Sequence, residues 1–311
     1  MKYIVTGGAG FIGSHLVERL LEEVDSNVLV IDNFYEGKME NLPVDPRLTV
    51  IQGDVLNKGL GKYFRGVDVV LHLAALTRPQ WSIEYPDKSN KVNVEGTIKV
   101  FMNAKEHRVK RVVFVSSSSA YGEQETYPTN EDAPFNPMSP YALQKAIGEQ
   151  YAKLFEKLYG LEVNYIRPFN VYGTRQSPSS PYSAAVPKFI DRVRRGEQPM
   201  ITGDGEQVRD FVYIDDVVEI IRMASKCKEY GEAFNAGSGK NISINYLAEE
   251  ICKLMGMVFS PIYIPAVFEP RKTLADMSKV KRIFNWEPQV SLIEGLARTI
   301  SGTIHPNTSK K

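Results

Sequence analysis

Cysteine is almost absent: Cys227 and Cys252 are the only two in 311 residues. Both fall in helix-like segments, so they are read as buried free thiols rather than as a disulfide or a metal site. Histidine is nearly as scarce, with four copies and no Cys/His cluster, and no metal is expected. Neither charge is in excess. Lys and Arg number 38 against 37 Asp and Glu, a formal net charge of +1. That balance supplies no field for nucleic acid or an anionic membrane surface, so neither partner is expected. No apolar run approaches the roughly 20 residues of a membrane span. Met1 and Lys2 lead straight into an apolar strand, not a signal sequence, and a cytoplasmic location is the expectation.

What is present is a globular composition, 43% hydrophobic and 24% charged. The length suits one large α/β unit with a smaller appended lobe. Apolar strands are read at 3–5, 28–31, 48–51, 67–73, 111–115 and 163–166. Helical patterns are read from Ser14 to about Glu23, at 91–107 and at 141–159. Continuous apolar strands alternating with helices indicate a parallel sheet covered on both faces. The expected fold is therefore α/β, a Rossmann-type doubly wound sheet over residues 1–170. A smaller mixed α/β lobe is expected mainly within 171–300, with chain crossovers between lobes, and a flexible tail at 301–311. A Ser/Pro/Gly/Tyr-rich loop is read at 173–183. Later segments include a brief strand at 211–214 and helices at 246–255 and 292–300.

Gly7, Gly10 and Gly13 lie three apart between the first strand and the first helix. Glycine there permits a tight turn, close approach to a pyrophosphate and close helix–strand packing, and the helix N-terminus offers free N–H groups. Asp32 ends the second strand, 19 residues past Gly13. A carboxylate in that place accepts from ribose hydroxyls and repels a 2′-phosphate, which favours NAD over NADP. Asp54 ends the third strand, either to meet an adenine amino group or merely to close the strand.

Tyr141 and Lys145 are four apart on one helix face. A phenol ionises near pH 10, and a neighbouring ammonium together with a nicotinamide charge lowers that value. Such a pair takes a proton from a hydroxyl while hydride leaves the same carbon. Ser116 to Ser119 follow the fifth strand, at the carboxyl edge where open α/β sheets bind ligands. One hydroxyl of that run suits a proton relay, and the rest form a polar turn.

These residues resemble the extended short-chain dehydrogenase/reductases, specifically the nucleotide-sugar 4-epimerases typified by UDP-glucose 4-epimerase. The resemblance spans roughly Met1 to Leu296. It rests on Thr6-Gly7-Gly8-Ala9-Gly10-Phe11-Ile12-Gly13, His72-Leu73-Ala74-Ala75 and Asn93 in Val92-Asn93-Val94-Glu95-Gly96-Thr97. It rests equally on the serines before Tyr121-Gly122, on Tyr141 with Lys145, on Arg167-Pro168-Phe169-Asn170-Val171-Tyr172-Gly173, and on Gly203 to Phe211. It implies that Gly7, Gly10, Phe11, Ile12, Gly13, Asp32, Asn33, Asp54, Val55, Leu73, Ala74, Ala75, Asn93 and Pro168 line NAD. Tyr141 is implied as the base and Lys145 as the holder of the nicotinamide ribose. Counting back from Tyr121 makes Ser117 the catalytic hydroxyl, with Ser118 the alternative, both facing the sugar beside Tyr141. Asn170 and Arg209 are implied to bind the diphosphate of a nucleotide sugar, most simply a UDP-sugar. Relatives pair through helices at the places of 91–107 and 141–159, which implies a homodimer.

One position departs from that pattern. The second phosphate-binding arginine of the resembled family falls at Ala266, and nearby Arg271 is the candidate replacement. The position that often gates the sugar pocket falls at Thr273. The 4,6-dehydratases carry an Asp-Glu pair where this chain has Ser118 and Ser119, and the decarboxylases a glutamate near Ser119. What remains is the equipment of a 4-epimerase, interconverting UDP-glucose and UDP-galactose or their N-acetyl forms through a 4-keto sugar. The alternatives are a UDP-glucuronate decarboxylase or epimerase, another nucleotide-sugar enzyme of this scaffold, or a non-catalytic NAD-binding protein.

Overall fold

The computed structural model describes residues 1–178 and 183–302. Residues 179–182 of the expected loop and 303–311 of the expected tail lie outside the described residues. Seven parallel strands form the central sheet: β1 (Lys2–Thr6), β2 (Asn27–Asp32), β3 (Leu48–Gln52), β4 (Val69–His72), β5 (Arg111–Val115), β6 (Glu162–Pro168) and β7 (Ala233–Ala236). Their order is β7-β6-β5-β4-β1-β2-β3. The chain reverses its direction of travel across the sheet after β3, which leaves a crevice at the carboxyl ends of β1 and β4.

Strand residues divide strictly between the two faces. Tyr3, Val5, Leu71, Val113 and Val115 enter one core with α1 (Phe11–Leu21), while Ile4, Val70, Val112 and Phe114 enter the other with α2 (Thr97–Glu106) and α3 (Pro140–Tyr159). This alternation is why the strands read as unbroken apolar runs.

The residues beyond 170 return to the sheet. After α4 (Ala185–Arg194), helix α5 (Ile214–Lys226) packs on α1, and β7 adds to β6. Neither α5 nor β7 was legible as such in the sequence: Ala-Phe-Asn-Ala carries little strand propensity, and only its burial against β6 makes it a strand. The rest of this half contributes α6 (Ile244–Leu254), α7 (Leu292–Gly302) and three two-stranded pairings. Asn170–Tyr172 pairs with Phe211–Tyr213, Val208–Arg209 with Ile242–Ser243, and Met200–Thr202 with Ile262–Ile264.

Two further corrections concern helices. The first helix begins at Phe11, three residues before the expected Ser14, because Gly10 already serves as its N-cap. The expected helix at 91–107 opens with a π-helical turn, Lys91–Gly96, before α2. A Cβ at Gly96 would lie 2.8 Å from Val55 Cγ2, so this turn presses on the loop after β3.

Helix α3 starts at Ser139, whose Oγ accepts from Ala142 N, followed by Pro140 at the first helical position. It is tied to β6 by a fully buried ion pair. Arg167 Nη2 and Nε donate to the Glu149 carboxylate at 2.6 and 2.9 Å, and Arg167 Nη1 donates to Tyr121 OH and Glu131 O. Truncating one partner strands the other charge. Arg167→Met is therefore expected to cost about 3–5 kcal/mol of folding stability, read as a lowered urea midpoint with an unchanged slope.

Candidate active site

The loop after β1 is shaped by close backbone contact. Gly7 has φ +71°, and a Cβ on it would sit 2.8 Å from Ala74 N; a Cβ on Gly13 would sit 2.2 Å from Gly7 O. Only hydrogen fits at either place. No side chain caps α1, and no acidic residue lies in its first turn. The N–H groups of Phe11, Ile12 and Gly13 are thus left for a ligand anion. Asp32 binds this loop to the next: Oδ2 accepts from Ala9 N at 2.9 Å and Oδ1 from Phe34 N at 2.8 Å. Each oxygen keeps a lone pair for a ribose hydroxyl. Asn33 and Asp54, from neighbouring strand ends, are brought together by an Asn33 Nδ2 to Asp54 Oδ2 bond of 2.8 Å. Val55 is buried beside them.

The loop Leu73-Ala74-Ala75 is held from below by a directional chain. Ala74 N donates to Thr6 Oγ1, and Thr6 Oγ1 meets His72 Nδ1 at 2.7 Å. On the other side His72 Nε2 meets Thr97 Oγ1, which donates to Asn93 O. Thr97 donates onward, so Nε2 carries the hydrogen and Nδ1 accepts from Thr6. Burial, then the Lys145 charge, pushes the His72 imidazole down to about 3, so it is neutral. Asn93 spends its amide on Leu76 N, Leu76 O and Gln144 Oε1, which fixes the far end of the loop. Sequence reasoning placed Asn93 on the cofactor and passed over His72; the chain through two threonines depends on contacts between distant segments.

Tyr141 and Lys145 lie buried side by side on α3. Lys145 Nζ donates to Val115 O at 2.7 Å and sits 5.0 Å from the Phe114 ring centre. Ser117, rather than Ser118, is the serine whose hydroxyl bears on the Tyr141 phenol. Ser117 Oγ also accepts from Ser119 N, and Ser116 Oγ is buried without a partner. Burial raises the Tyr141 phenol to about 12, with Ser117 acting in the opposite direction. Burial also lowers Lys145 to about 7, against the pull of the Glu149 carboxylate. The protein alone therefore does not make Tyr141 acidic, contrary to the effect expected from the ammonium: desolvation is the larger force.

Pro168 ends β6 and leads to Asn170, whose Nδ2 donates to Asp210 O and reaches Thr273 Oγ1 at 3.4 Å. Arg209 is buried nearby, ion-paired with Glu269 at 3.1 Å. Asp210, unremarked in the sequence, accepts from Ser238 N, Ser238 Oγ, Gly239 N and Ala275 N and so pins three segments around Arg209. Arg271 points elsewhere. Its guanidinium forms a two-pronged pair with Asp204 at 2.8 and 2.9 Å and is 59% exposed, while its carbonyl accepts from Arg209 Nη1.

The sequence profile of the NAD dependent epimerase/dehydratase family matches residues 3–237. A UDP-N-acetylglucosamine 4-epimerase from Methanobrevibacter ruminantium, solved with UDP-N-acetylmuramic acid, is 38% identical. It superposes with a TM-score of 0.93, covering 97% of either chain. The UDP-glucose 4-epimerase of Mycolicibacterium smegmatis is 36% identical over 96% of this chain and 97% of its own. The UDP-glucuronic acid 4-epimerase of Bacillus cereus, solved with UDP-glucuronic acid and NAD, is 32% identical. It has a TM-score of 0.90 over 97% of this chain and 98% of that one.

The chain belongs to the NAD-dependent epimerase/dehydratase family. It is an enzyme acting on nucleotide sugars, and its cofactor is NAD. The site fits that cofactor: the uncapped start of α1, the Gly7–Ala74 contact and the spare lone pairs of Asp32 all lie along the crevice.

The buried amine has a consequence for stability. A lysine with a folded pKa below its unfolded 10.5 binds fewer protons when folded, so stability rises with pH between about 7 and 10.5. Lys145→Met lacks this contribution. Urea midpoints at pH 6.5 and 9 are expected to show wild type gaining on the variant as pH rises. A constant gap would mean that the amine is not held down.

Proposed function

We propose that this enzyme is a 4-epimerase of UDP-sugars, interconverting UDP-glucose and UDP-galactose or their N-acetyl forms. The observation that carries this reading is the burial of Tyr141 beside Lys145, whose Nζ is anchored on Val115 O, with Ser118 and Ser119 where the resembled dehydratases hold an acid pair. A site with one base, one relay hydroxyl and one buried cation suits a reaction that removes a hydride and returns it.

The chemistry that NAD supplies when bound is reversible hydride acceptance. Tyr141 takes the proton of the 4-hydroxyl, with Ser117 holding the same oxygen, as the C4 hydride leaves. The sugar becomes a 4-keto species, neutral overall at C4. Lys145, anchored on Val115 O, orients the nicotinamide ribose. The keto sugar then turns its other face, hydride returns to C4, and Tyr141 gives the proton back. Arg209 and Asn170 grip the diphosphate, through charge-assisted bonds in the case of Arg209, and Glu269 must yield that guanidinium to it. The bonding of Arg271 to Asp204 favours Arg209 as the principal phosphate ligand.

Tyr141→Phe is expected to slow turnover about 10²–10⁴-fold while NAD binding stays near native, and Ser117→Ala to be milder. Incubated with a panel of UDP-, dTDP- and GDP-sugars, the enzyme is expected to yield a product of unchanged mass, with no net NADH. Release of carbon dioxide from UDP-glucuronate would favour the decarboxylase reading, and no turnover the binding protein.

A homodimer is also proposed. Leu143, Ile147, Leu154 and Leu158 form one apolar stripe along α3, three of them 46–58% exposed, with Met102 of α2 also exposed. Such a face suits a partner face of the same kind. Light scattering is expected to give about twice the chain mass of 35.0 kDa, and a monomer at micromolar concentration would refute it. Both thiols are free, which supports a reducing, cytoplasmic setting. Among the described residues no helix is long and apolar enough to cross a membrane.

A further inference from the structure

The ion pair between Arg78 and Glu36 lies in an unusual place. Arg78 follows β4 by six residues and Glu36 follows β2 by four. In the sheet β1 lies between those two strands. A bond joining the loops after β2 and β4 therefore crosses the carboxyl end of β1, where the glycine loop begins. Arg78 Nε meets Glu36 Oε1 at 2.9 Å.

Both ends of this crossing are anchored. The loop carrying Glu36 folds back on the glycine loop: Lys38 N donates to Ala9 O at 3.1 Å, and Asn41 Nδ2 to the same oxygen at 2.9 Å. A Cβ on Gly37 would lie 2.9 Å from Ala9 and 3.0 Å from Asp32 Oδ1. At the other end Arg78 stands before the short helix Pro79–Glu84, and Ser82 N donates to Arg78 O. Ser82 Oγ in turn accepts from Tyr141 N at 3.0 Å, so the same short helix is tied to the start of α3.

One donor in the crossing is unspent. Arg78 Nη1 is buried and has no hydrogen-bond partner. A buried guanidinium donor left unbonded is costly, and it is suited to a phosphate oxygen. Lys188 of α4 stands near enough that Arg78, after burial, helps push its ammonium down.

We propose that Arg78 and Glu36 form a strap over the pyrophosphate of NAD, with Arg78 donating to a phosphate oxygen and Glu36 holding the guanidinium across the crevice. The strap slows escape of the dinucleotide. An enzyme that must return the hydride it removed benefits from a cofactor that stays through the cycle. The proposal rests on NAD as the cofactor and not on the identity of the sugar.

The experiment loads the protein with NAD, removes free cofactor, and follows NAD release on dilution, with no sugar present. Arg78→Met is expected to release NAD about ten- to a hundredfold faster, as for a lost bond to a charged group. Glu36→Gln, at an exposed residue, is expected to speed release about two- to fivefold, as for an exposed ion pair. The double variant should be no faster than Arg78→Met, since both changes undo one link. Native release from Arg78→Met overturns the proposal, as does a raised KM for the UDP-sugar with unchanged NAD release, which would place Arg78 on the substrate. Should Arg78→Met fail to fold, native release from Glu36→Gln overturns the strap. Loss of epimerase activity in every assay would refute the reaction proposed above and leave this test intact.

Discussion

The site depends on the loops after β1 and β4 touching backbone to backbone. Gly7 reaches Ala74 at a distance no side chain would allow. That contact brings the start of α1, which offers free N–H groups, within one loop's width of the strand end that leads to Tyr141. A methyl group at Gly7 would separate the two loops and with them the phosphate site from the reacting centre. The His72 chain serves the same contact from beneath, since Thr6 bonds both the imidazole and Ala74 N. A neutral imidazole is needed there, because a charged one would face Lys145 across Phe114, which stacks on His72 with ring centres 5.7 Å apart.

The features legible in the sequence are those written in local spacing. Gly7, Gly10 and Gly13 announce a turn into a helix, Asp32 closes an apolar strand, and Tyr141 with Lys145 share a face one helical turn apart. Ser117 is chosen over Ser118 by counting back from Tyr121, a local count, and it is the serine that bears on the Tyr141 phenol. Each of these is decided by the few residues around it and by the rule that ligands gather at strand ends.

The features that were not legible are decided by partners far along the chain. Arg271 is one candidate for a phosphate contact by its nearness to position 266, and its pairing with Asp204, 67 residues away, is not written in local spacing. Strand β7 exists because Phe234 and its neighbours are buried against β6 and helix α5, not because of its own composition. The Arg78–Glu36 link joins loops 42 residues apart. The start of α1 is a different kind of miss. Phe11 and Ile12 are helical because Gly10 is extended at the N-cap, a conformation that spacing alone does not reveal.

On the proposed reading, the buried charges give the base a condition for acting. A phenol raised to about 12 is almost wholly protonated at neutral pH, and a Lys145 lowered to about 7 is only partly charged. The protonated phenol is not a proton acceptor, and desolvation opposes the ionised forms of both groups at once. A positive charge placed beside the phenol favours the phenolate, and neutralising that charge favours the phenol. Tyr141 is therefore readiest to take a proton while the nicotinamide is oxidised and readiest to give one back once hydride has arrived. Proton and hydride then move in step, in either direction across the 4-keto sugar, because the same burial that makes Tyr141 a poor base by itself makes it responsive to the charge that appears and disappears next to it.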